Sequence, residues 1–146
     1  MAAAAYRSGS RFTDKRTGLD HNYTAKRDVE HSEIVAPDNA PAWMRDREKL
    51  WNSVEMVEKR RDAQLCREIE VALPRELTTD RHIELVREFV QTEFVDHGMI
   101  ADFNIHNGRA RDGNEQPHAH ILLTTPRANG RGIWAEEPRV ECYRQA

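Results

Sequence analysis

The stretch Ile105–His120, IHNGRARDGNEQPHAH, holds three of the chain's seven histidines. Immediately before it, Ala101, Phe103 and Ile105 alternate with Asp102, Asn104 and His106, the period-two pattern of a strand that turns one face to a core. At its end the pattern resumes: from His118 to Thr125, Ala119, Ile121 and Leu123 fall on one face, and His118 and His120 on the other. Residues Gly108 to Gln116 between them are polar and read as a loop. A His-x-His pair on a strand points two imidazoles the same way about 6.5–7 Å apart, close enough to share one ion. A third histidine, His106 on a neighbouring strand, completes a three-nitrogen set with positions left open for substrate.

Working outward, Glu68-Ile69-Glu70-Val71-Ala72-Leu73 alternates with period two before Pro74, so a third strand places Glu68 and Glu70 on one face. Beside a metal those carboxylates could orient a ligand, bind the ion or accept a proton. Thr78 or Thr79 can cap a helix carrying Ile83, Val86, Phe89, Val90 and Phe94, with Gly98 placed to end it. Pro41 suits the first turn of another helix, in which Trp43, Leu50, Trp51, Val54 and Val57 recur at helical spacing. The run Glu58-Lys59-Arg60-Arg61-Asp62 reads as the solvated face of that helix. Residues 11 to 40 are polar and read as irregular, with one short element near His31–Val35. Ala2 to Arg7 forms a helix stub that stops at Ser8-Gly9-Ser10. His21, His31, His82 and His97 read as surface or loop residues.

At 146 residues the chain suits one domain, and its aromatic, leucine and valine content argues against wholesale disorder. A net charge of -3 gives no global basic field, so any polyanion site must be local. The basic end is Met1 to Val29, where Arg7, Arg11, Lys15, Arg16, Lys26 and Arg27 outnumber Asp14, Asp20 and Asp28. Cys66 and Cys142 match no metal-ligand spacing and read as free thiols of a reducing, cytoplasmic compartment. No apolar run approaches the ~20 residues of a membrane span, so no membrane insertion is expected.

Three segments taken together carry a resemblance. Ala2-Ala3-Ala4-Ala5-Tyr6-Arg7-Ser8-Gly9, then Ala63 to Pro74 with its paired glutamates, then Ile105-His106 through His118-Ala119-His120-Ile121 resemble, in that order, the MobA/MobL family of TraA-like mobilisation relaxases. The resemblance implies the HUH class of nucleases: an α+β fold, an antiparallel β-sheet with helices packed against it. It implies a DNA relaxase of conjugative transfer, nicking one strand at the origin of transfer. Tyr6 would be the nucleophile, leaving a 5′-phosphotyrosine link and a free 3′-hydroxyl. His106, His118 and His120 would hold a divalent ion (Mn, Mg or Zn), Glu68 would be the acidic helper and Glu70 the second choice. Arg7, Arg11, Lys15, Arg16, Lys26 and Arg27 become phosphate contacts, and Phe12 or Tyr23 a base-stacking ring. The implied partners are single-stranded origin-of-transfer DNA, the relaxosome and the conjugative transfer machinery.

Members of the family begin with a β-strand before the alanine-rich helix, whereas here Met1 directly precedes Ala2. The expectation is therefore a relaxase domain over residues 1–125, truncated at both ends and lacking the N-terminal strand, followed by a divergent irregular tail over 126–146. Its alternative is a non-catalytic remnant retaining metal or weak DNA binding. A histidine-triad nucleotide hydrolase fits worse, because Leu122 occupies the third alternate position and His106 would be idle.

Overall fold

The computed structural model describes residues 1–57 and 66–125. In chain order it contains α1 (Ala2–Ser8), β1 (Arg11–Thr13), β2 (Asp20–Asn22), β3 (Val29–Val35), a 3-10 turn (Ala42–Arg45), α2 (Arg47–Val57), β4 (Cys66–Ala72), α3 (Thr79–Glu93), a second 3-10 turn (Val95–His97), β5 (Ala101–Arg109) and β6 (Glu115–Thr124). The fold is α+β: β3, β5, β6 and β4 form a four-stranded sheet in that order, antiparallel at each pairing, and β1–β2 form a separate hairpin.

The alternation of β5 and β6 builds the sheet's first face. Ala101, Phe103, Ile105, Ala119, Ile121 and Leu123 pack there with Val86 and Val90 of α3. Val86 and Val90 are one helical turn apart, so α3 lays a single apolar stripe on the sheet. Thr78 caps α3 by accepting a hydrogen bond from the Arg81 amide at 3.4 Å. Past the helix, Gly98 at φ 91° takes the left-handed conformation that turns the chain into β5.

The opposite face departs from the sequence expectation. Asp102, Asn104 and His106 were expected on a polar, non-core side, yet all three are buried. Two helices cover them: Leu122 joins Ala4 and Ala5 of α1 and Leu50, Trp51 and Val54 of α2 in a second core. Alanine at positions 4 and 5 lets α1 lie close to the strands.

Other expectations need correction. The segment 11–40 holds more than one short element: besides its irregular stretches it contains the β1–β2 hairpin and a β3 that starts already at Val29, whose polar residues pair through backbone groups that periodicity cannot register. Phe12 is buried in the second core and so is not a free stacking ring. The Gly108–Gln116 loop shrinks, because β5 runs to Arg109 and β6 starts at Glu115, with the turn closed by a bond from the Ala110 amide to the Asn114 carbonyl. The helix expected from Pro41 begins at Arg47 instead, since Asp46 is extended and its carboxylate accepts from the Lys49 amide, capping a new start. The charge run at Glu58–Asp62 and the tail 126–146 lie outside the described residues. His82 is not on the surface: it is buried in α3, with Nε2 2.6 Å from the Pro74 carbonyl oxygen. His31, on β3, lies against Phe103 with ring centroids 5.7 Å apart.

Candidate metal centre

The register of the sheet assembles the histidines. His106 on β5 pairs with His118 on β6, and His120 stands two residues further along, opposite Asn104. On the far side of β6, Glu70 of β4 pairs with His120, and Glu68 with Leu122. The three rings gather on the covered face, with centroids 5.5 Å (His106–His118), 4.8 Å (His106–His120) and 5.0 Å (His118–His120) apart. Each offers a nitrogen, and these atoms lie within 4.8 Å of one another.

Each ring also has one nitrogen occupied by an oxygen that can only accept, which fixes where its hydrogen lies. His118 Nδ1 donates to the Gln116 carbonyl at 2.9 Å. His120 Nδ1 donates to Glu68 Oε1 at 3.0 Å. His106 Nε2 donates to the Arg7 carbonyl at 2.6 Å, one of the last carbonyls of α1, which has no partner inside its own helix. The remaining lone pairs are on His118 Nε2 and His120 Nε2, and on His106 Nδ1, where a cation would have to displace the Lys26 ammonium 3.4 Å away. Burial lowers the pKa of His106 despite the Arg7 carbonyl, and Lys26 lowers it further. Burial likewise lowers that of His120, with the Arg7 guanidinium adding to the effect. Neutral imidazoles with an oriented second nitrogen are the donor set a divalent metal requires, so the three residues fit a metal site.

Around this cluster stand the other predicted residues. Arg7 Nε donates to Glu68 Oε1 at 2.7 Å, so the same carboxylate oxygen that holds His120 also holds the end of α1. Lys26 Nζ lies 3.4 Å from His106 Nδ1, 3.1 Å from Asp28 and 4.6 Å from the centre of the Tyr6 ring. Tyr6 is 43% exposed, its ring edge-on to Tyr23 at 5.3 Å. Gly9, at φ 62°, ends α1 two residues after Arg7, at a point where a side chain would meet Val29, so the short helix stops with Tyr6 and Arg7 at the histidine end of the sheet.

The structure therefore brings Tyr6, Arg7, Lys26, Glu68 and the three histidines into one neighbourhood, with Glu70 exposed at its border. It does not bring in the rest of the basic set. Arg11 pairs with Asp20 at 2.6 Å on the hairpin, while Lys15 and Arg16 lie at its exposed turn, which is tied to α2 through the Lys15 amide and Asn52 Oδ1 at 2.9 Å. Arg27 is exposed beside Lys26. Sequence reasoning missed Asp28 and the pairing of Tyr23 with Tyr6. Asp28 lies two residues from Lys26 in a segment read as irregular, so the ion pair was the available signal.

Comparison with known proteins places this fold in one family. The family model described as the MobA/MobL family matches residues 1–145, and the chain belongs to that family. It is 36% identical over 150 residues to the conjugal transfer protein TraA of Agrobacterium fabrum, an alignment covering 96% of this chain and 13% of that protein. To the mobilization protein MobL of Acidithiobacillus ferridurans it is 39% identical over 145 residues, covering 84% of this chain and 37% of that one. The chain thus spans about an eighth and about a third of these relatives' lengths. A solved structure described as "Molecular Basis of Vancomycin Resistance Transfer in Staphylococcus aureus" superposes with a TM-score of 0.75 and 35% identity, over 99% of this chain and 76% of that chain. Among the described residues no helix is long and apolar enough to cross a membrane.

Proposed function

We propose that the chain carries the nicking centre of a relaxase acting in conjugative transfer or plasmid mobilisation, on single-stranded DNA at an origin of transfer. The observation that carries this reading is the placement of three converging imidazoles beside the end of the helix that bears Tyr6. In the proposed step, Tyr6 Oη forms a bond to the scissile phosphorus while the bond from phosphorus to the 3′-oxygen breaks. The phenolic proton is lost to a base, and the departing oxygen takes up a proton to become a free 3′-hydroxyl. The 5′ end stays attached to the tyrosine. One phosphodiester replaces another, so rejoining runs along the same path.

His106, His118 and His120 would hold the divalent ion, which when bound polarises the phosphate and stabilises developing negative charge. The chain's own residues supply the rest. A tyrosine hydroxyl is a weak nucleophile at neutral pH without assistance, and Arg7 and Lys26, at 5.4 and 4.6 Å from the Tyr6 ring centre, make its surroundings favourable to an anionic phosphate. Glu68 accepts from both His120 and Arg7, so its proposed help lies in orienting them. Arg11, Lys15, Arg16 and Arg27 are proposed to contact the phosphate backbone away from the bond being cut. Residues 1–125 would make up this nuclease portion, in the reducing cytoplasm, alongside the relaxosome.

The test is a denaturing gel of purified protein with manganese or magnesium and single-stranded oligonucleotides spanning a candidate origin of transfer. A covalent protein–DNA band that vanishes in Tyr6→Phe is the expected result. A folded, metal-binding chain that gives no adduct would replace this reading with that of a non-catalytic remnant.

A further inference from the structure

The histidine cluster occupies three corners of a four-residue block on one sheet face. Two adjacent cross-strand pairs define it: His106 with His118, and Asn104 with His120. The fourth corner is Asn104. Side chains directly opposite on paired strands have Cβ atoms about 4.5–5.5 Å apart, so the Asn104 amide belongs to the same cluster as the imidazoles. It is also fully buried, which for a primary amide is costly unless every polar atom is used.

Half of that amide is accounted for. Asn104 Nδ2 donates to Asp102 Oδ1 at 3.3 Å, and Asp102 can only accept as a carboxylate, so the amide nitrogen faces it and the carbonyl oxygen faces away. Asp102 is itself immobilised from α2. Arg47 Nε reaches both its oxygens, at 3.0 and 2.9 Å, and Trp51 Nε1 donates at 2.8 Å. The Asn104 side chain is thereby fixed in one orientation. Its Oδ1 is buried and has no hydrogen-bond partner. Asp102, Asn104 and His106 alternate along the same face of β5, so an oxygen turned from Asp102 is turned toward the histidine end.

We propose that Asn104 Oδ1 is the fourth protein donor of the centre, a hard carbonyl oxygen that adds to the three imidazoles and biases the site toward oxygen-preferring divalent ions. The assignment rests on the metal-binding reading above and adds a residue and a selectivity to it. Imidazole suits zinc and other transition ions, whereas a carbonyl oxygen suits manganese, magnesium and calcium. Losing this oxygen should therefore cost affinity for Mn²⁺ much more than for Zn²⁺. The Arg47–Asp102–Trp51 arrangement acts as a positioning device, holding the oxygen toward the centre instead of letting the amide rotate.

The experiment is calorimetric titration of the full chain with Mn²⁺ alone and with Zn²⁺ alone, alongside Asn104→Leu, Asn104→Asp and Glu70→Gln, with thermal melts to verify folding. His118→Ala serves as the control for the underlying metal site. Asn104→Leu is expected to weaken Mn²⁺ binding about tenfold or more while Zn²⁺ changes less than about threefold. Asn104→Asp, which replaces the amide oxygen with a charged carboxylate oxygen, is expected to raise Mn²⁺ affinity above the parent's while Zn²⁺ changes less. If the leucine variant does not fold, the aspartate variant decides alone: an unchanged Mn²⁺ to Zn²⁺ affinity ratio would overturn the assignment. Equal losses for both ions in Asn104→Leu would also overturn it, as would a selective Mn²⁺ loss in Glu70→Gln instead, since Glu70 is the competing oxygen across from His120. A parent chain that binds neither ion, with His118→Ala indistinguishable from it, refutes the metal reading itself.

Discussion

The two faces of β5 and β6 are made by alternate residues of the same strands, yet they solve different problems. Toward α3 the strands present Ala101, Phe103, Ile105, Ala119, Ile121 and Leu123, apolar throughout, and the face does nothing but close a core. Toward α1 and α2 the same strands bury Asp102, Asn104, His106 and His120 beside Leu122. Burial pushes the Asp102 carboxyl pKa up, opposed first by the charge of Arg47 and then by the bonds donated from Trp51, Arg47 and Asn104. A sheet that hides polar side chains this thoroughly must hold them with partners: α2 gives Arg47 and Trp51 to Asp102, α1 gives the Arg7 carbonyl to His106, and β4 gives the Glu68 carboxylate to His120. What separates the faces is therefore cost: one stabilises by area removed from water, whereas the other holds chemistry in place by paired polar groups.

The sharpest way to break this contrast is to remove one partner from each face. Arg47→Met should leave the Asp102 carboxylate buried without its counter-charge, at a cost of about 3–5 kcal/mol, measured by urea unfolding. Ile121→Ala, one residue from His120 but on the α3 face, should lose about 2–5 kcal/mol as a cavity and leave the metal stoichiometry of the surviving folded chain unchanged. A near-neutral Arg47→Met would mean that the second face is not held by its ion pair.

Next in size comes a pair of substitutions that should spare the fold and strike the site. His120→Ala should cut divalent-ion affinity by about a hundredfold or more, while its melting temperature in chelator stays near the parent's. Glu68→Gln should weaken the same binding about 10–100-fold, because it disturbs the acceptor that orients His120. If both variants bound metal like the parent, the convergence of the rings would have no bearing on ion binding.

The α3 face was legible in the sequence and the other was legible only in part. Ala101, Phe103 and Ile105 announce a strand because apolar residues at period two need no partner beyond each other. The helix from Thr79 announces itself through its cap and its stripe. The histidines were legible as a set because His-x-His is a geometric statement on a strand. Asp102 and Asn104 were misjudged, since alternation says that a face is polar but not whether a helix covers it. β3 was read short and the hairpin at Arg11–Asn22 was missed, because His31, Glu33 and their neighbours pair through backbone groups and carry no apolar rhythm. The contacts of Arg7 and Lys26 with the centre join residues 61 and 80 positions apart, a proximity that no local pattern encodes.

The finest difference between the faces is their response to pH, because only the polar face contains histidines with depressed pKa values. His106 is surrounded by Lys26, Asp28, His120 and the Arg7 carbonyl, and His120 by Arg7, Glu68, Glu70 and His118. Both titrate below the ordinary value of 6.5 in the folded chain. Between the lowered folded pKa and 6.5, the unfolded chain binds more protons than the folded one, so stability rises with pH across that window and is complete above it. Acidifying the metal-free chain from pH 7.5 toward 5.5 should therefore destabilise it. The carboxylates with lowered pKa values, Asp14, Asp20, Asp28, Asp112 and Glu33, lose their contributions only further down, below their ordinary values of 3.8 and 4.5. Subtracting the profile of a His106→Gln variant removes their effect and that of Asp102. Urea midpoints in chelator at pH 7.5, 6.5 and 5.5 should fall with acid in the parent and fall less in the variant. Parallel profiles would show that His106 gains no stability from staying neutral in its buried place, and would leave the Arg7 carbonyl as a contact without thermodynamic weight.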